Sequence, residues 1–138
     1  MTTPEDICPD FPEWPERWRS VRRDIPYGQA LLAIMRPFAT HLIATRLAKK
    51  TIRKHMDNLW LLGGEVIRRV SDNDQYDVSP LAALLACIDS SCGPYCQHIH
   101  SERACDSFDA TCRKFYEFLK RAEGYAHDPG GTTSHVRR

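Results

Sequence analysis

The chain has no run of about 18 consecutive apolar residues, the length that a transmembrane helix needs. Its start, MTTPEDICPDFPEWPERW, is acidic and rich in proline, and it has neither the basic nor the apolar region of a signal peptide. No stretch alternates apolar and polar residues with a period of two, so β-strands are not expected. These absences predict a cytoplasmic, all-α protein that does not contact a membrane.

Catalytic signatures are also absent from the sequence. The Gly63-Gly64 pair is not a phosphate-binding loop, because it lacks the spaced lysine and the preceding strand of such a loop. Cys96 and His98 resemble a nucleophile and its base only along the chain, whereas such pairs are brought together in space by the fold. The sequence therefore predicts a protein that is not an enzyme and needs no cofactor.

The net charge is small, but the charged residues are unevenly distributed along the chain. The 138 residues carry a formal net charge of +1 and are sufficient for one domain with its own core. No aspartate or glutamate occurs between Ile25 and Met56, whereas the first 24 residues carry six acids against four arginines. We expect an acidic, proline-rich arm over residues 1–24, a helical bundle over 25–122 and a flexible polar tail over 123–138.

The arm is predicted to be irregular, because four prolines interrupt any helix in its first 15 residues. Its aromatic residues Phe11, Trp14 and Trp18 make it too apolar for a segment that is exposed on all sides. Two interpretations remain open: the aromatic side chains lie against the bundle, or they dock onto a partner protein. The acidic arm and the basic middle of the chain could also mask each other.

Helical periodicity predicts a compact bundle of four to five helices. One helix follows Pro26 and is expected to be kinked or interrupted at Pro37. A later helix begins at Ser79-Pro80, where serine would cap the first turn and proline would occupy the first helical position. The last helix is expected to run from about residue 102 to 121.

The helix between these segments is the most unusual. It is expected to begin near Lys49 or Lys50 and to continue through Gly63-Gly64, since apolar residues keep their helical spacing on both sides of the pair. Two glycines inside a helix indicate close approach of another helix, with a break or hinge as the competing interpretation. Trp60, beside the glycines, is predicted to belong to the core.

The densest basic cluster lies at the start of this helix. Basic side chains there oppose the helix dipole, which favours acids in a first turn. A bound phosphate would account for them, because the N–H groups of that turn and the lysines would point at one anion. An ordinary solvated helix face and an acidic protein partner are the competing interpretations. The candidate nucleic-acid-binding residues are Arg46, Lys49, Lys50, Thr51, Arg53 and Lys54, with Arg113 and Lys114 as a second patch.

Six cysteines raise the question of a metal site. In a reducing compartment they are expected to be thiols or metal ligands and not disulfides. Cys105 and Cys112 fit the apolar stripe of the last helix, and Cys87 continues the helix before it. The remaining candidate zinc ligands match no standard zinc spacing, so no metal is expected and a small zinc module is a third alternative. These candidates are Cys92, Cys96, His98 and His100.

The stretch LAKKTIRKHMDNLWLL, residues 47–62, resembles the opening of the core-binding, SAM-like domain of tyrosine recombinases, the phage integrases. In that domain a leucine and a small residue precede a threonine that begins a long basic helix, and here Leu47, Ala48 and Thr51 occupy those places. The stretch SERACDSFDATCRKFYEFLK, residues 101–120, resembles the final helix of the same domain. Ala48 departs from the serine that the family pattern has at the N-cap.

This resemblance covers roughly residues 27–121 and implies a helical bundle that grips DNA. The sequence after residue 121 shows no counterpart of the recombinase catalytic domain, so strand cleavage is not implied. The same stretches are similar to small proteins of bacterial genomes and mobile elements. We therefore predict a non-enzymatic module that binds nucleic acid, DNA in particular, through phosphates. The alternative is an inhibitor or accessory subunit that docks onto a protein through the basic face or the tryptophan-containing arm.

Overall fold

The computed structural model describes residues 2–123, so residues 124–138 of the predicted tail lie outside the described part of the chain. Within residues 2–123 the chain forms α-helices and one short 3-10 helix, Phe11–Glu13, and no strand. The predicted all-α bundle is confirmed. Its helices are α1 (Pro4–Ile7), α2 (Trp14–Trp18), α3 (Asp24–Ala44), α4 (Lys49–Asp72), α5 (Pro80–Leu85) and α6 (Glu102–Glu123).

The core lies between the three long helices α3, α4 and α6. The last of these buries Phe108, Cys112, Phe115 and Leu119 along one face, at the steps of three and four that the sequence predicts. A fully buried side chain of this size stabilises the fold by about 1.5–3 kcal/mol relative to its exposed form. None of the helices in residues 2–123 is both long enough and apolar enough to span a membrane.

The N-terminal arm belongs to this core. The side chains of Phe11 and Trp14 are 0% and 1% exposed, and their rings meet edge to face with centroids 4.7 Å apart. The expectation that the aromatic residues lie against the bundle is therefore confirmed. The prediction that prolines exclude helix from the first 15 residues is wrong, because Pro4 is the first residue of α1 and Pro15 is the second residue of α2. A missing amide hydrogen loses no helical bond at those positions.

The helix α4 begins at Lys49 and continues through Gly63 and Gly64, as predicted. The predicted close approach of another helix at the glycines is confirmed, since the indole of Trp18, on α2, contacts Gly63 directly. The prediction that Trp60 belongs to the core is wrong, since its side chain is 40% exposed. The indole of Trp18 packs against α4 instead, and its N–H donates to the backbone carbonyl of Trp60 at 3.0 Å.

The predictions for the helices α3 and α5 are partly confirmed. The helix α3 is continuous over 21 residues, so Pro37 does not interrupt it. Ser79 caps α5 by accepting from the amide of Ala82 at 3.1 Å, as predicted. This helix ends at Leu85, so Cys87, which was expected to continue it, lies beyond its end. Ile88, also beyond the end, is buried. None of the six cysteines forms a disulfide.

Candidate nucleic-acid interface

The first turn of α4 follows directly from the loop at residues 45–48. The hydroxyl of Thr45 donates to the carbonyl of Leu42 at 2.6 Å and ends α3. Ala48 has extended backbone angles and provides no side-chain cap, and the first turn carries no acidic residue. Neither an N-cap side chain nor an acidic side chain of the first turn therefore competes with an outside anion for the amides of this turn.

A buried polar cluster fixes how α4 lies against α6. The Nδ1 atom of His55 is 2.7 Å from Thr111 Oγ1, and the side-chain amide of Asn58 donates to Thr111 Oγ1 at 2.9 Å and to the Ser107 carbonyl at 3.1 Å. The two helices therefore run antiparallel, which directs the first turn of α4 toward the end of α6 that carries Lys114. Burial, and second the positive charge of Lys114, lower the pKa of His55.

A groove of about 720 Å³ lies between the end of α3, the loop at 45–48 and one side of α6. It brings Arg46 together with the predicted second patch, Arg113 and Lys114, although these positions are far apart in the sequence. Arg121 joins them, and Glu117 is the one carboxylate in the lining. The four cations form no salt bridge with any carboxylate in residues 2–123. The groove is therefore strongly positive.

Other predicted residues face the arm instead. Arg53 donates to the backbone carbonyl of Ile7 at 3.1 Å, so it holds the arm in place. The pKa of Asp6 is lowered chiefly by the backbone N–H of Thr3, and the charge of Lys49 adds to this effect. Arg53 is therefore engaged in the fold, whereas Lys49 is exposed and acts on Asp6 through its charge alone.

The remaining predicted residues of α4 are accessible. Lys50, Thr51 and Lys54 are exposed, and neither lysine forms a salt bridge with a carboxylate of the described chain. They lie in the part of α4 that the antiparallel packing directs toward Lys114. We define the basic surface as these three residues together with the groove cations Arg46, Arg113, Lys114 and Arg121.

Among the groove residues that were not predicted from the sequence, three have side chains suited to binding a ligand: Arg121, His41 and Phe118. The ring of His41 lies 5.1 Å from the ring of Phe118, and both line the groove. A signal for His41 was present, because it follows Phe38 by three residues and so shares its helix face. Phe118 and Arg121 have the same spacing on α6, but only the packed structure shows that both helices contribute to one groove.

The candidate zinc ligands do not form a metal site. Cys96 is buried, and burial raises the pKa of its thiol, whereas His98 and His100 are exposed. Among residues 2–123 no three His, Cys, Asp or Glu side chains are grouped so that they could hold a metal ion. The positions of Cys92, Cys96, His98 and His100 therefore give the zinc alternative no support.

Comparison of the chain with protein-family models, with curated proteins and with solved structures finds no match. The resemblance to the recombinase core-binding domain stays a prediction that depends on residues 47–62 and 101–120. The chemistry of the basic surface is therefore the basis for inferring a function.

Proposed function

We propose that the protein is a non-enzymatic module that binds nucleic acid through its phosphates at the basic surface. The observation that carries this proposal is the convergence of Arg46, Arg113, Lys114 and Arg121 in one groove that contains a single carboxylate. Guanidinium and ammonium groups are the usual partners of phosphate oxygens, and arginine binds them with two parallel hydrogen bonds. Lys50 and Lys54 contribute two further positive charges on the exposed part of α4.

Binding of this kind depends steeply on salt and little on sequence, because released counterions supply the driving force. Four neutralised phosphates on duplex DNA correspond to a slope of about −3.6 in log K against log salt, or a loss of roughly 100-fold between 50 and 200 mM salt. Thr51, exposed in the first turn of α4, would add a neutral hydrogen bond to one phosphate. DNA is the proposed nucleic acid because of the recombinase-like stretches, which also favour an association with a mobile element.

The test is a fluorescence-anisotropy titration with a labelled 20-base-pair duplex and its labelled single strand at 50 and 200 mM salt. We expect the variant R46E/R113E/K114E to lose most of the binding to both ligands. The control R19E/R22E/R103E carries the same charge change on exposed residues outside the groove and should bind far better than the groove variant. Circular dichroism and the melting temperature establish that both variants fold.

Two results would overturn the proposal. One is a wild-type protein that binds neither ligand at low salt. The other is an equal loss of binding in the groove variant and in its control, since this would reduce the interaction to net charge alone. A small fall in melting temperature of the groove variant is expected, because Arg113 donates to the Ser91 carbonyl at 3.1 Å and that bond is lost.

Docking through the tryptophan-containing arm has little structural basis. Phe11 and Trp14 are buried, and Trp18 is packed against Gly63, so these three rings do not form a free surface. An acidic protein partner would use the same cations as a nucleic acid. The titration therefore supports the nucleic-acid proposal only if binding to the oligonucleotides is tight and depends on the groove cations.

A further inference from the structure

A row of aromatic rings leads from the core into the groove. Phe115 and Phe38 are fully buried and stack with their ring centroids 4.8 Å apart and their planes at 19°. Phe118, half-buried, lies 5.4 Å from Phe38, and the exposed ring of His41 lies 5.1 Å from Phe118. The row therefore ends at the surface, among the groove cations.

We propose that this end of the row is a base-stacking subsite and that the groove takes unpaired nucleotides of a single strand. The base would stack at His41 and Phe118, while the phosphates on either side contact Arg46, Arg113 and Lys114. This inference rests on the proposed function and specifies its ligand: nucleic acid whose bases are not paired.

The combination of charges and rings distinguishes a single strand from a duplex. In a duplex the bases stack on one another, so a groove on the protein meets mainly phosphates and exposed aromatic rings gain little. A positive groove with aromatic side chains is the arrangement that binds single strands, because every base has a face that stacks on a ring. The volume of about 720 Å³ lies within the range of about 300–1,000 Å³ for pockets that hold small ligands.

The size of the expected effect follows from measured base stacking on aromatic side chains, which strengthens binding by about 5- to 100-fold per base. His41 is the residue to change, because its side chain is exposed, although its ring also stacks on that of Phe38 with centroids 6.5 Å apart. Phe118 is less suitable, since it is half-buried and its ring centroid lies closer to that of Phe38, at 5.4 Å. His98 is an exposed histidine outside the groove and provides the matched control.

The experiment compares three labelled ligands by anisotropy at 50 mM salt: a 12-nucleotide oligo-thymidine, an abasic oligomer of the same length and a 12-base-pair duplex. The full-length wild-type protein should bind oligo-thymidine at least about 5-fold tighter than the abasic oligomer. H41A should weaken the binding of oligo-thymidine more than the binding of the abasic oligomer, so that this difference becomes smaller. H41F should restore it, and H98A should behave as wild type.

Equal affinity for oligo-thymidine and the abasic oligomer would overturn the stacking subsite, and so would tighter binding of the duplex than of the single strand. If the binding of these ligands still weakens as the salt concentration rises, the proposed phosphate-binding function stands without the subsite. Absence of binding to all three ligands would overturn both. An H41A variant that loses abasic binding as strongly as oligo-thymidine binding would assign His41 to the phosphates and not to a base.

Discussion

The indole ring of Trp18 lies against the α-carbon of Gly63, where a side chain would overlap several atoms of the ring. The same indole donates its N–H to the carbonyl of Trp60 at 3.0 Å, so α2 is held on α4 by a ring contact and a hydrogen bond. A glycine inside a helix costs about 1 kcal/mol relative to alanine. At Gly63 this cost is offset, because only glycine allows the ring to reach the helix.

The substitution Gly63→Ala is expected to destabilise the protein by about 1–3 kcal/mol, despite the better helix propensity of alanine. The new methyl group would displace the Trp18 ring and lengthen or break its hydrogen bond to the Trp60 carbonyl. Urea unfolding followed by circular dichroism measures the free energy of unfolding.

The neighbouring substitution Gly64→Ala is the matched control. A Cβ atom there would lie 3.4 Å from Trp18 Cδ1, at the short edge of ordinary van der Waals contact. We expect this variant to be about 0.5–1 kcal/mol more stable than the wild type, through helix propensity and a less flexible unfolded chain. Changes of the same sign in both variants would contradict the packing described for Trp18.

Trp14 and Trp60 should differ widely in their contribution to the stability of the fold. Trp14 is 1% exposed, and Trp14→Ala is expected to cost about 3–5 kcal/mol through the loss of burial and the cavity that remains. Trp60 is 40% exposed, and Trp60→Ala should cost less than about 1 kcal/mol, because its backbone carbonyl still accepts from Trp18. Equal losses in thermal unfolding would show that the arm is not part of the core.

The thiol of Cys8 should be unreactive in the folded protein. Burial, followed by the hydrogen bond from its Sγ to Asp10 Oδ1 at 3.0 Å, raises the pKa of Cys8 to about 12. Because the thiolate is the reactive form, alkylation by iodoacetamide at pH 8.5 is expected to be about 100-fold or more slower than in urea. Peptide mapping by mass spectrometry measures both rates. Asp10→Asn should speed the reaction in the folded protein, and rapid labelling of native wild-type Cys8 would refute this assignment.

The stability of the fold should fall as the pH decreases through the range in which histidine titrates. Burial and then Lys114 hold the pKa of His55 below its usual value of 6.5. The unfolded state therefore takes up a proton at a higher pH than the folded state, so stability is lost as the pH falls below about 6.5. His55→Gln should lose less free energy of unfolding than the wild type between pH 7 and pH 5.

The control for this titration is His98→Gln, which removes an exposed histidine outside the buried polar cluster. Its free energy of unfolding should follow the wild-type pH dependence. If His55→Gln also followed the wild-type curve, the acid sensitivity of the fold would have to come from other groups.

Long helices with regular spacing could be predicted from the sequence, and the short helices of the proline-rich arm could not. The start of α4 at Lys49 and the buried stripe of α6 follow from uninterrupted steps of three and four. In the arm, Ile7, Phe11, Trp14 and Trp18 also recur at steps of three and four, but prolines lie among them. Prolines that begin helices look the same in a sequence as prolines that end them, so the spacing alone does not predict the short helices. Helical spacing also does not specify which tryptophan, Trp18 or Trp60, fills the space above Gly63.

The basic residues of the candidate site could be identified from composition, but their grouping could not. Arg46 lines one groove with Arg113 and Lys114, because α6 packs both on α4, through His55 and Asn58, and on α3, through the stacked rings of Phe38 and Phe115. Those contacts join residues more than 50 positions apart. Composition identifies basic residues one at a time. The groove depends on which turns of two helices lie side by side, and composition does not contain that information.

The burial of the arm has a consequence for the order in which this protein assembles. Ile7 meets Arg53 across 46 positions of sequence, and Trp18 meets Trp60 across 42. Part of the arm has its partners as soon as α3 is present, since Glu5 forms an ion pair with Arg36 and Pro15 lies close to Gly28. The partners of the Ile7 carbonyl and of the Trp18 indole exist only when α4 has formed as far as Gly63. A shortened α4 should therefore leave the indole of Trp18 uncovered and make the arm accessible to proteases.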